Sequence, residues 1–579
     1  MFARTPVTPP PIPEYVLADL ASMDLSISEA SRSRFYANGW WRNTTVLEDF
    51  ERSWRANPEK TAIVTYRAGS AEAHRLDYKT LAGRVERIAG ALIHMGVRRG
   101  DVVSIQLPNW WQFVAIALAT FRVGAVVNPI IPIHRSREVG FIAGLLETRV
   151  CFTARAFRGF DHARMMQDLE DKLPNLEHRV IVDFDKIPDS VSELSFERDI
   201  LGHAWELDYQ GELATRTLNA DQISDIQFTS GTTGEPKGVG HTHNTQFARA
   251  RSLYETLRLD SNDIVFMPST LAHSTGFVYG FITSVMLGMT AIYQDVWDPE
   301  RALEIIDKEG ATWSFGSTAF VTDLIKAQRH HHRDLSRFRY FVSGGAAIPP
   351  AAVREAADVL STRLMACWGM TENGGVTFTR TDDPLLAAAE SDGHSAAWME
   401  LKVVDPLNGK ELPVGSTGVL KVRGASQMIG YVKRPGLTQA ATDQNGWFDT
   451  GDVAHLDALG NVRISGRVKD IIVRGGENVP VVEIETLLYR HPFVDEVAIV
   501  GYPDERLGER ACAVVVAVRG TTPTLADLTA FLQAEGVSKT YWPERLELRS
   551  ELPRTLSGKV QKFRLRKTPP PTHDNVGTR

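Results

Sequence analysis

The sequence predicts an α/β protein, a large N-terminal domain of parallel-rich sheets flanked by helices plus a small α+β C-terminal domain. Three observations predict this. Short apolar strands alternate with amphipathic helices from Thr45 to Phe228, the pattern of parallel sheets covered on both faces. The pattern restarts after Asp470 in a shorter mix of helices and strands. The length of 579 residues exceeds that of one usual domain. The expected divisions are an N-terminal arm over 1–40, a main domain over 41–468 and a C-terminal domain over 469–579.

The elements follow in order. MFARTPVTPPPIPEYV is rich in Pro, which favours extended backbone and carries little core, so residues 1–40 read as an arm. The stretch lacks an apolar h-region, and no signal peptide is expected. A helical pattern starts at Thr45, and the strand TAIVTY follows. From Tyr78 to Gly96, Leu81, Val85, Ile88, Leu92 and Ile93 recur on one helical face. DVVSIQLP reads as a strand, and NWWQFVAIALATFRVGAVVNPI as an apolar helix running into another strand. RVCFTA, HRVIVDF and DIQFT continue the alternation. Ligands of such sheets sit beyond the carboxyl ends of the strands, where the strand ending at Phe228 delivers its loop. The most apolar run, Phe277 to Tyr293, is interrupted by Thr283, Ser284 and Thr290, so a buried core segment is expected rather than a membrane span. In the C-terminal part, VPVVEIETLLYRHP and TLADLTAFLQAEG read as helices, and EVAIVGYP, ACAVVVAVRG and LELRSEL as strands.

Composition narrows the function. A formal charge of −7 leaves no basic footprint for nucleic acid. Cys151, Cys367 and Cys512 are too few and too scattered for a disulfide framework or a zinc site, and a reducing cytoplasm is expected. The run His330-His331-His332 lies between polar and basic residues and reads as a solvated helix end.

The chemistry centres on Thr229–Gly238, TSGTTGEPKG. Glycines Gly231 and Gly234 let backbone amides approach a ligand, Thr229, Ser230, Thr232 and Thr233 add hydroxyl donors, and Lys237 adds a compact charge. This reads as a polyphosphate cradle, although Pro236 before Lys237 excludes the Walker pattern. Downstream stand the Gly-rich turn FVSGGAAIPP, then CWGMTE with an aromatic face, a hydroxyl and a carboxylate. TGD with Asp452 and GRVKD with Arg467 follow, and SGK with Lys559 closes the series. Asp452 can accept from both ribose hydroxyls, and the Arg467 fork can bind hydroxyl or phosphate.

This ordered set resembles the adenylate-forming superfamily of acyl-CoA synthetases, adenylation domains and luciferases, over roughly Trp41 to Arg566. The resemblance implies ATP, Mg²⁺ and CoA as cofactors. Gly344, Gly345 and Ala346 would border the adenine, and Trp368, with Gly369 and Met370 beside it, would flank the ring where relatives carry Tyr. Thr371 would contact the α-phosphate, Glu372 would ligate Mg²⁺, and Asp452 and Arg467 would hold the ribose. Lys237 would manage the departing pyrophosphate. Lys559 would reach the substrate carboxylate and the α-phosphate. Lys469 occupies the hinge position about which a mobile C-terminal lid would turn, bringing Gly475, Gly476 and Glu477 to line the pantetheine channel. His273, Phe277, Gly316 and Gly344 would form the acid pocket, with His273 gating the thiol, although STLAH lacks the Pro that many relatives place before the His.

The leading expectation is an ATP-dependent carboxylic acid:CoA ligase. LPNWWQF, NPIIPIHRSREVGF and LAHSTGF resemble short- or medium-chain and alicyclic ligases of the cyclohexanecarboxylate type. Two alternatives stay open: a stand-alone ligase loading an acyl carrier protein, and an inactive nucleotide-binding regulator. The expected partners are a small acid, ATP and CoA; a homodimer is compatible with the sequence.

Overall fold

The computed structural model describes residues 27–184, 193–216, 218–229, 236–346, 348–468, 472–474, 477–479, 481–504, 508–554 and 560–566. Helices form where expected. Thr45 caps Val46–Ala56 in a capping box with Glu48, and Asp77 caps Tyr78–His94 through a 2.6 Å bond from the Thr80 amide. The predicted apolar face of the second helix, Leu81, Val85, Ile88, Leu92 and Ile93, is buried.

Two large sheets form the bulk of the chain. The first has nine strands, in the order His394–Ser395, Gly374–Phe378, Arg363–Met370, Tyr340–Gly344, Trp313–Gly316, Ile264–Met267, Thr290–Gln294, Thr61–Tyr66 and Ala73–Asp77. Its strands are parallel from Arg363–Met370 to Thr61–Tyr66, and antiparallel strands close both edges. The second has eight, in the order Gly430–Tyr431, Lys237–Thr242, Ile223–Thr229, Val126–Pro129, Val102–Gln106, Val150–Ala154, His178–Val182 and Leu194–Ser195. The helices Tyr78–His94 and Trp111–Arg122 pack together, and the latter is buried over nearly its whole length. A third, antiparallel sheet joins Met399–Val404, Gly418–Gly424, Phe448–Leu456 and Val462–Arg467. The C-terminal part is α+β, with a five-stranded sheet that packs against Val481–Leu488 and Leu525–Ala534.

Three features were not apparent from the sequence. Part of the arm is a helix, Glu29–Ala37, whose Phe35 and Tyr36 enter the core. Its Arg32 donates twice to Asp221, at 3.0 and 2.7 Å, and Asn244 bonds both Asp221 and the Tyr36 hydroxyl. The phosphate-loop strand is not followed by another parallel strand, because Lys237–Thr242 returns antiparallel beside it. The apolar run from Phe277 is buried as expected, but Gly276–Ile282 winds as a π-helix, a form frequent at functional sites.

The fold also sets a pH dependence. Burial, with the Arg42 charge nearby, pushes His243 from 6.5 down to about 3. Burial likewise lowers His162 to about 4. A depressed imidazole contributes stability that is full above the unfolded value and lost as pH falls towards the folded one. His243→Gln is therefore expected to flatten the decline of stability between about pH 6 and pH 4 by about 1.4 kcal/mol per pH unit. Urea midpoints across that range measure it; identical slopes for both proteins would contradict it.

Candidate active site

The site is built where strand ends converge. Trp313–Gly316, Tyr340–Gly344 and Arg363–Met370 end side by side, with Gly316 opposite Ser343 and Gly344 opposite Cys367. Gly345 turns at φ 88°, a left-handed conformation suited to glycine, and Ala346 follows in that turn. At Gly369 a Cβ would stand 2.0 Å from the Gly374 carbonyl oxygen, so no side chain fits there. Met370 ends the strand and leads into Thr371 and Glu372.

In the second sheet, Thr229 pairs with Lys237 at the end of the antiparallel ladder between Ile223–Thr229 and Lys237–Thr242. The ammonium of Lys237 lies 4.9 Å from the centroid of the Tyr431 ring. The Tyr431 hydroxyl donates to Glu372 Oε1 at 2.8 Å. Glu372 Oε2 accepts no hydrogen bond from the described residues. The backbone at this turn is held from behind. Burial keeps the His241 ring far below the usual imidazole range, and its neutral Nε2 donates to the Thr371 carbonyl at 2.8 Å.

The third sheet brings Asp452 opposite Arg467, joined by a 2.8 Å Nε–Oδ1 ion pair. The other Asp452 oxygen accepts from Trp368 Nε1 at 2.9 Å. Trp368 is only 8% exposed and packs with Val239, Val376 and Trp398. Its indole N–H, the polar handle that distinguishes it from Tyr, thus orients Asp452.

Behind these walls runs a buried polar chain that sequence reasoning missed. Asp225 accepts from Ser224, Gln227 and Gln246, and Arg249 donates to Gln246 and to the Ser274 hydroxyl. Burial raises the Asp225 carboxyl and lowers the Arg249 guanidinium. The chain links the phosphate-loop strand to the segment that holds His273. There, His273 Nδ1 accepts from the Thr275 amide at 3.3 Å. Phe277 is fully buried, edge-on to Phe113 and Phe281. Tyr279, also missed, stacks on Phe315 with centroids 4.8 Å apart and accepts from the Gly375 amide. A Tyr or Arg inside an apolar or polar run carries no local mark of such partners.

Ser230, Gly231, Thr232, Thr233, Gly234, Lys469, Gly475, Gly476 and Lys559 lie outside the described residues. Of the triple His, His330 ends the helix Thr318–His330 and His331 faces Glu300 at 3.1 Å on the surface. Among the described residues, no group of three or more His, Cys, Asp and Glu is placed to hold a metal. No described helix is long and apolar enough to cross a membrane.

Comparison with known proteins identifies the family and the fold. The chain is 34% identical over 545 residues to the medium-chain fatty-acid–CoA ligase of Escherichia coli, covering 94% of each chain. It is 28% identical to the human mitochondrial medium-chain acyl-CoA ligase ACSF2, covering 90% of this chain and 87% of that one. The structure of ATP-bound MatB from Rhodopseudomonas palustris superposes with a TM-score of 0.78 at 26% identity, covering 90% of this chain and 99% of that one. The AMP-binding enzyme family matches residues 50–432, and the AMP-binding enzyme C-terminal domain matches 483–559. Over most of its length, therefore, this chain belongs to the AMP-binding enzyme family.

Proposed function

We propose that the protein converts medium-chain carboxylic acids to their CoA thioesters in a reducing, cytoplasmic setting. The reaction is an ATP-dependent ligation of acid to CoA through an acyl-AMP. The observation that supports the reading best is the linked set Lys237–Tyr431–Glu372, standing with Trp368–Asp452–Arg467 on strands that meet at one place.

A carboxylate is a poor electrophile, because its charge repels nucleophiles and oxide is a poor leaving group. Attack of its oxygen on the α-phosphate forms the acyl-AMP and expels pyrophosphate. Such transfers ask the protein chiefly for positioning and charge stabilisation. Lys237 and the amides of the loop from Thr229 to Gly234 receive the leaving pyrophosphate. Asp452, oriented by Trp368 and Arg467, accepts from the ribose hydroxyls. Gly344, Gly345 and Ala346 border the adenine, and Thr371 meets the α-phosphate. Glu372 would hold Mg²⁺ through its second oxygen together with the substrate's phosphates, and that ion would neutralise phosphate charge. A single carboxylate fits this ion, which is commonly bound by one or two carboxylates plus phosphate. Lys559 then balances charge at the reacting carboxylate. A turn about Lys469 exchanges it for the face bearing Gly475 and Gly476, where the CoA thiol attacks the acyl carbonyl and AMP leaves. His273, Gly316 and Gly344 would line the acyl pocket, and Phe277, buried against Phe113 and Phe281, would pack behind that lining.

The medium-chain preference comes from the two related ligases, whose names state it. AMP release measured over acids from acetate to dodecanoate, with benzoate and cyclohexanecarboxylate, tests it. A maximum among the medium-chain acids, with CoA consumed, is expected. No AMP with any acid would overturn the reading, and loading of a carrier protein in place of CoA would redirect it.

A further inference from the structure

Tyr431 stands between two groups of opposite charge. It is 2% exposed, and its segment is zipped onto the strand that carries Lys237. The Ile429 amide donates to Gly240 at 3.0 Å, the Val432 amide to Gly238 at 2.9 Å, and the Tyr431 amide to the Thr438 hydroxyl at 2.9 Å. On the other side, the Met428 amide donates to the Glu372 carbonyl at 2.6 Å. Backbone and ring are therefore anchored to both the strand that carries Lys237 and the carboxylate's turn. The phenol hydroxyl engages Glu372, and the ring face lies near the Lys237 ammonium at a distance typical of a cation–π contact. Lys237 and Glu372 form no ion pair with each other.

We propose that Tyr431 is a positioning residue for adenylation that keeps Lys237 and Glu372 apart, holding the cation for phosphate and the carboxylate for magnesium. A direct Lys237–Glu372 pair would neutralise both groups before the substrate arrives. The hydroxyl binds the anion and the ring binds the cation, so each stays near the other without spending its charge. Orienting partners of this kind commonly set metal affinity. The inference rests on the reading of Glu372 as the magnesium ligand.

Tyr431→Phe removes only the hydroxyl and keeps the ring. Mn²⁺ titration of the full-length enzyme with ATP, followed by electron paramagnetic resonance, should show about tenfold weaker binding in Y431F. The Mg²⁺ concentration for half-maximal ATP–pyrophosphate exchange should rise in parallel, while the thermal midpoint stays near that of the parent. Wild-type Mn²⁺ affinity in Y431F, with E372Q weakened, would overturn the proposal and leave the Glu372 reading intact. Unchanged affinity in E372Q itself would overturn that reading and this inference with it. The double variant Y431F/E372Q should bind Mn²⁺ as E372Q does, and any additional loss would show that the hydroxyl does not act through Glu372.

Discussion

Lys559→Ala is expected to lower ATP–pyrophosphate exchange by about 10²–10³-fold and to leave thioester formation from supplied acyl-adenylate largely intact. The asymmetry follows from charge. Adenylation brings a carboxylate against a triphosphate, so two anions must approach within bonding distance. A preorganised cation at that point lowers the barrier, and its loss costs what one such contact usually contributes. Thiolation starts from a neutral acyl carbonyl and ejects AMP, so it does not face that repulsion. On the proposed mechanism the lysine would serve one half-reaction and leave room for the thiol in the other, as a hinge of a few element-terminal residues permits. Separate assays of the two half-reactions decide the matter. Equal losses in both would remove the two-conformation mechanism.

Arg32→Ala is expected to destabilise the fold by about 3–5 kcal/mol. The guanidinium donates twice to Asp221, and both residues are buried. Truncating the arginine strands Asp221 in a site where the remaining partners are the Tyr36 hydroxyl and the Asn244 amide. Neither supplies a positive charge, and a buried carboxylate without one is costly. The same change releases the helix Glu29–Ala37 from the loop that carries Asp221. Denaturant midpoints measure the effect. The double variant Arg32→Leu with Asp221→Leu is expected to recover part of the loss, since removing both charges also removes the desolvation penalty. A loss below about 1 kcal/mol for the single variant would mean that water reaches Asp221 and screens it.

Much of this protein was legible locally. The helix Tyr78–His94 and the strand Thr61–Tyr66 declared themselves because burial of one face imposes a period on the residues that line it. The α/β class, the C-terminal α+β unit and the family were readable for the same reason, joined to the order of TSGTTGEPKG, WGMTE, TGD and GRVKD. The strand Lys237–Thr242 was not, since KGVGHT lacks an apolar alternation and gains its partners only from Ile223–Thr229 and Gly430–Tyr431. The helix Glu29–Ala37 was hidden by the Pro-rich residues before it, and by a buried Arg32 whose partner lies 189 positions away.

The sequence by itself determined which residue types could cradle phosphate, accept from ribose and hold a cation, because that chemistry belongs to the side chains. Only the tertiary structure decided how those groups are held. Trp368 reaches Asp452 across 84 positions, and Tyr431 reaches Glu372 across 59 while its ring meets Lys237. Hydrogen bonds and cation–π contacts depend on separations of a few ångströms, and strand register sets those separations between residues whose sequence neighbours carry no trace of them.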